Sequence, residues 1–202
     1  MITLAEFTPA AQAALVAAGQ HAARERRLVL GPEFLLAGLA AGGPLTGGRG
    51  GVAVSPAAVH AEITRRHGGP AAPGDAELLA ALGIDAGEVR RQVLRATGIR
   101  PDDPALWTLR RSRLRPLRLT LDGPTAHLRL DGGSRKAVEV AAWIRRRGGR
   151  ARSGREDLLW GLLSDGASPA VRILRRLGVD VPALGADLTD WHTHVHPRAW
   201  PA

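Results

Sequence analysis

The sequence predicts an all-α fold of two tandem four-helix repeats, and three observations predict it. Gly31-Pro32-Glu33-Phe34-Leu35-Leu36-Ala37-Gly38-Leu39 returns as Gly154-Arg155-Glu156-Asp157-Leu158-Leu159-Trp160-Gly161-Leu162, at a constant offset of 123. Leu82-Gly83-Ile84-Asp85 returns as Leu177-Gly178-Val179-Asp180, at an offset of 95. Ala-rich helical stretches, Ala10 to Arg27 and Arg135 to Arg147, precede the two long blocks. The two offsets differ by 28 residues, which measures an insertion between Leu39 and Leu82.

The elements follow in order. Thr8-Pro9 is a helix start, a capping hydroxyl followed by proline at the first helical position. Leu15, Ala18 and Ala22 then recur at helical spacing. Gly31-Pro32-Glu33 opens a second helix, with Glu33 in the first turn where the dipole favours an anion. Leu35, Leu36 and Leu39 supply its buried stripe. Loop-like segments at Gly42–Gly51 and Gly68–Gly74 flank Pro56–His67, which reads as an extra helix inserted in the first repeat. Leu78–Leu82 is a third helix stopped by Gly83. Ala86–Ala96 is a fourth, with Val89 and Val93 on one face. The second repeat places its helices at Ser134–Arg147, Arg155–Leu163, Pro169–Leu177 and Pro182 to about Asp190. The predicted layout is therefore residues 1–98 for the first repeat with its insertion at about 41–76, then a linker at 99–130. Residues 131–190 form the second repeat and 191–202 a C-terminal tail.

The linker has a different period. Leu117-Arg118-Leu119-Thr120-Leu121 and His127-Leu128-Arg129-Leu130 alternate apolar and polar around Asp122-Gly123-Pro124, a hairpin signal. A short surface β-hairpin and an extended basic linker both fit.

Composition narrows the function classes. The chain of 202 residues is 45% hydrophobic, enough to bury a core. It has no cysteine, which excludes disulfides, thiolate metal sites and cysteine nucleophiles. No apolar run reaches a membrane-spanning length, and the N-terminus does not read as a secretory signal. A cytoplasmic location is expected, with no membrane partner. The formal net charge is +9, and 27 of the 28 basic residues are arginine, with Lys136 the exception. Abundant Ala, Gly, Pro and Arg is what a GC-rich coding sequence produces. The clusters Arg110–Arg118 and Arg145–Arg155 therefore read as solvated or ion-paired faces. A basic helical nucleic-acid binder is the alternative reading.

At the repeated blocks the sequence resembles the Clp N-terminal (Clp repeat) domain. This is the module that receives substrates and adaptors ahead of the AAA+ ring of ClpA, ClpB and ClpC unfoldases. The family pattern is Phe-Thr with an Ala-rich helix, then Gly-Thr-Glu-His-Leu-Leu-Leu-Gly-Leu, then Leu-Gly-Val/Ile-Asp. It is met here by Phe7-Thr8, Gly31–Leu39 and Leu82–Asp85. The second copy is Leu130-Asp131, Gly154–Leu162 and Leu177–Asp180. The resemblance implies two repeats related by pseudo-two-fold symmetry. No Gly-x-x-x-x-Gly-Lys-Ser/Thr motif is present, so a nucleotide-binding P-loop is not expected. The expectation is a stand-alone, non-catalytic N domain without a motor, a metal or a cofactor. Its expected partners are peptides and proteins of the Clp system, including a ClpC-type unfoldase or adaptor.

In ClpC-type members each repeat can hold a phosphorylated arginine, a degradation mark. A phosphate suits a helix N-terminus with a nearby hydroxyl, and a guanidinium suits a carboxylate. The resemblance assigns those roles to Thr8 and Glu33 in the first repeat. In the second, Asp131 replaces the threonine beside Glu156, and its charge opposes a phosphate. Local pairing of Arg155 with Glu156 or Asp157 would change that pocket further. A second family surface, an apolar groove used by adaptors and cyclic-peptide antibiotics, would involve Leu4 and Phe7.

Trp143 and Trp160 are expected in the core. Trp107, Trp191 and Trp200 fall in linker and tail, where exposed aromatics mark contacts. The tail segment Trp191-His192-Thr193-His194-Val195-His196 puts three imidazoles on one side of an extended chain. That pattern suits zinc or copper but lacks a fixed carboxylate, so a mobile tail is the plainer reading.

Overall fold

The computed structural model describes residues 2–46, 51–68, 81–85, 88, 89, 92, 96, 98, 100–112 and 117–195. A single 3₁₀ turn, Leu4–Glu6, leads into α1 (Pro9–Arg24), β1 (Val29–Leu30), α2 (Pro32–Ala41) and α3 (Pro56–His67). A second 3₁₀ turn, Pro104–Leu106, precedes β2 (Thr108–Arg111), β3 (Leu119–Gly123) and β4 (Ala126–Leu130). The chain then forms α4 (Gly132–Arg147), α5 (Arg155–Leu163), α6 (Pro169–Arg176) and α7 (Val181–Val195). No helix among the described residues is long and apolar enough to cross a membrane.

The fold is not all-α. Strands β1–β4 make one mixed sheet in the order β1-β4-β3-β2, with β1 parallel to β4 and the other pairs antiparallel. The alternating linker segment forms the β3–β4 hairpin, closed at Gly123↔Ala126. It is neither an extended linker nor a surface ribbon. Leu109, Leu119, Leu121, Leu128 and Leu130 point inward and are buried, as period-two alternation demands when one face is covered. Trp107 joins this face. It is buried, and its indole N–H donates to the Pro101 carbonyl at 2.7 Å, so it is a core residue and not an exposed contact. Strand β1 escaped the sequence reading because two residues carry no period.

Helices start where small polar caps predict. Thr8 Oγ1 accepts the Ala11 N–H, Asp131 Oδ1 the Ser134 N–H, and Ser55 and Ser168 do the same for α3 and α6. The first two helices of each half pack as close pairs. A Cβ on Gly38 would lie 2.1 Å from the Ala14 carbonyl oxygen, and one on Gly161 2.5 Å from that of Ala137. Both pairs sit 123 residues apart, so each half uses the same glycine to bring two backbones into contact.

Helix α3 is part of the core. Val59 and Ile63 are fully buried, and the helix lies against α2, as α6 also does. The segments read as third and fourth helices of the first repeat, Leu78–Leu82 and Ala86–Ala96, lie largely outside the described residues. Of the described ones, Leu82 is 75% and Val89 46% exposed. The C-terminal segment is helical, not extended, as far as Val195. His192 is buried between Trp160 and Trp191, with ring centroids 5.5 and 4.8 Å away. A helical path does not align alternate residues, so the three-imidazole pattern does not form through Val195. His196 lies outside the described residues, and no group of metal-ligating side chains is found among those described.

Candidate functional site

The two halves meet at two junctions of like construction. At one, Phe7 bridges to Ser153, the Thr8 N–H donates to the Ser153 carbonyl at 2.8 Å, and the Ser153 N–H donates to the Glu6 carbonyl at 2.8 Å. At the other, the parallel β1–β4 pair lets the Asp131 N–H donate to the Leu30 carbonyl at 3.1 Å, and the Arg129 N–H to that of Leu28 at 3.1 Å. Thr8 thus lies beside the start of α5, Gly154–Glu156. Asp131 lies beside the start of α2, Gly31–Glu33.

This crosses the sequence-based pairing. Thr8 and Glu33 belong to one half but sit toward opposite ends of the α1–α2 pair, because the chain turns back between those helices and Gly38 meets Ala14. The fold brings Glu33 to Asp131, and Glu156 to the Thr8 side. A motif read along one chain segment cannot reveal that exchange.

At the Asp131 junction, Glu33 is only 6% exposed. Its carboxylate folds back over Gly31, where a Cβ would lie 2.6 Å from either oxygen. His67, at the end of α3, places Nε2 3.0 Å from Glu33 Oε1 and stacks its ring on Phe34 at 5.9 Å. Asp131 is half-buried, and desolvation raises its pKa above the ordinary aspartate value, with the Glu33 charge adding to the effect. Two acids and an imidazole therefore fill this junction, and the helix predicted as an insertion closes it.

At the Thr8 junction, Glu156 folds back over Gly154 in the same way, 2.5 Å from a virtual Cβ. Arg155 pairs with neither Glu156 nor Asp157. It sends Nη2 to the carbonyls of Leu39 and Gly43, at 2.7 and 3.1 Å. There it satisfies end-of-helix carbonyls and puts a cation at the negative end of the α2 dipole. Asp157 is fully buried, accepts from Arg150 at 2.7 Å, and takes the Gly154 N–H at 2.7 Å. The cleft between Leu39, Pro44, Arg155 and Glu156 measures about 10 Å³, room for about one water.

The expected apolar groove at Leu4 and Phe7 is not open. These residues are 6% and 0% exposed, and both belong to the core. A wider cleft of about 540 Å³ lies on the outer face of α4, lined by Ile2, Arg111, Lys136, Glu139, Val140, Trp143 and Arg146. Trp143 is 45% exposed and not in the core. A helical wheel holds the missed signal. Ala137, Val138, Ala141 and Ile144 are the buried face of α4, and Trp143 shares the opposite face with Lys136, Val140 and Arg147.

Part of the basic character is paired. Arg145 meets Glu6 at 3.2 Å, Arg150 meets Asp157, and Arg111 and Arg135 share Glu139 at 2.5 and 3.7 Å.

Among solved structures, the fold is similar to the N-terminal domain of the caseinolytic protease associated chaperone ClpD from Arabidopsis thaliana. The identity is 16%, the likeness covers 92% of this chain and 93% of that one, and the TM-score is 0.53. No family model and no curated protein matches the sequence. The chain thus has a Clp N-domain-like fold, in which a four-stranded mixed sheet accompanies the helices.

Proposed function

We propose that this chain is a non-catalytic, cytoplasmic protein-binding module of the Clp type. It acts as a decoy or an accessory factor that binds Clp substrates, adaptors or cyclic peptides without unfolding them. The observation that carries the reading is the likeness to the ClpD N-terminal domain over nearly the full length of both chains. The open cleft on α4, with a half-exposed tryptophan in it, supports it, since such aromatics dominate binding at protein surfaces.

For a phosphorylated arginine the Thr8 junction is the better candidate. It keeps a hydroxyl at a helix N-cap and a carboxylate, Glu156, across the junction. Arg155 has to swing out before a ligand enters. The Asp131–Glu33 junction offers two acids and is already filled by His67, so it opposes a phosphate. Ion pairs take up Arg111, Arg145 and Arg150 of the arginine clusters, and the comparison with solved structures favours the protein-binding reading over the nucleic-acid one.

The test is a titration with a phosphoarginine peptide, its phosphoserine and unmodified counterparts, and a permanently unfolded model protein. The module binds the unfolded protein, and the phosphoarginine peptide gains affinity in Arg155→Ala. No preference for phosphoarginine in either form removes mark reading. Loss of binding to every probe removes the protein-binding reading.

A further inference from the structure

Helix α4 carries two faces with different tasks. Ser134, Ala137, Val138, Ala141, Ala142 and Ile144 are buried inward. Outward, Lys136, Glu139, Val140, Trp143 and Arg146 follow helical spacing and line the 540 Å³ cleft with Ile2 and Arg111. The volume falls within the range of about 300–1,000 Å³ common for ligand clefts. Its floor is apolar, made by Ile2, Val140 and the Trp143 ring. Its rim holds three cations against one acid.

That acid is already committed. Glu139 takes Arg111 at 2.5 Å and Arg135 at 3.7 Å. Among the described residues, Lys136 reaches only the Ser164 carbonyl, at 3.5 Å. Arg146 is exposed and has no acidic partner among the described residues. The Arg147 guanidinium lies 5.5 Å above the Trp143 ring, adding a further cation beside the floor. A face that only needed solubility would not expose a tryptophan ringed by cations.

We propose that this cleft binds an acidic segment of a partner protein, with one aromatic or aliphatic side chain on the Trp143 floor and flanking carboxylates on Lys136 and Arg146. The proposal rests on the protein-binding reading above and names the class of partner. Charge complementarity sets the choice, because a basic segment would meet surplus like charge at close range. Helix α4 and strand β2 hold the Trp143 ring and the charged side chains.

The experiment is fluorescence anisotropy with a labelled octapeptide of aspartates and glutamates around a central Leu-Phe pair. One control replaces the acids by lysines, and another replaces Leu-Phe by Gly-Gly. The acidic apolar peptide binds at least about tenfold tighter than either control, and rising salt weakens it. Lys136→Glu combined with Arg146→Glu weakens it by about tenfold or more and turns the preference toward the lysine peptide. Trp143→Ala weakens it by about tenfold. All three side chains are on the surface, so circular dichroism and the melting midpoint stay near wild type. Equal binding of the lysine peptide, an unchanged affinity in the charge-reversed variant, or no binding of any octapeptide overturns the proposal. If the unfolded model protein still binds in those cases, only this assignment falls. If it too is ignored, the underlying reading falls with it.

Discussion

The two junctions share a backbone plan and differ in chemistry. Each sets an N-capped helix start beside an N-cap glycine and a glutamate that folds back over it. At the position three residues into the second helix, one junction has Phe34 stacked on His67, and the other has Asp157 held by Arg150. Each also has a histidine delivered from a later helix, His67 from α3 and His192 from α7, the latter 3.8 Å from Asp157. The plan is fixed by main-chain hydrogen bonds and glycine contacts, which ignore side-chain identity. The space between differs in its contents, with His67 on Glu33 at one junction and Arg150 with His192 at Asp157 at the other. The two junctions share a shape and differ in the side chains that fill it.

The sharpest way to break the shared plan is at the glycine contacts. Gly38→Ala drives a methyl into the Ala14 carbonyl and costs about 3 kcal/mol or more, with Gly161→Ala costing less because its gap is wider. Urea midpoints of the two variants give the order. Next is Asp157→Ala, which strands Arg150 and frees the Gly154 N–H at a cost of about 3 kcal/mol; a midpoint within error of wild type would show the pair to be idle. Arg155→Ala removes hydrogen bonds from a charged donor to the α2 carbonyls and costs about 2 kcal/mol. Its thermal midpoint should drop while α4 binding stays unchanged.

The smallest effect has the opposite sign. Burial lifts the Asp131 pKa, so the folded state holds that proton to higher pH than the unfolded chain does. The ionised form therefore costs stability at neutral pH, and the cost fades as pH falls through the raised value toward the ordinary one. Asp131→Asn keeps a capping side chain and removes the charge. It stabilises at about pH 7 by less than about 1 kcal/mol and gives no gain near about pH 3. Denaturation at the two pH values checks both sign and window.

The starts at Thr8-Pro9, Gly31-Pro32 and Pro169 were legible because proline and capping residues act locally, whereas the helix read from Ser134 begins two residues earlier, at Gly132 after the Asp131 cap. The hairpin was legible as a period, though not as a sheet, since the partner strand Val29–Leu30 lies about a hundred residues away in sequence and is too short to announce itself. The site was less legible. Thr8 and Glu33 share a motif but are separated by fold, a relation set by packing. Trp143 misled because its type suggests a core, while its phase on α4 points outward. Trp107 misled the other way, since a linker composition concealed the buried sheet face.

The parallel pairing of Val29–Leu30 with Arg129–Leu130 has a kinetic consequence. Each helix pair caps its own starts, but the Thr8 and Asp131 backbone N–H groups find their acceptors only on the other half, so these bonds wait until the ends of a very long loop meet. Closing that loop is entropically slow. The molecule should therefore acquire its order in one concerted event, and either half made alone should remain without a settled conformation.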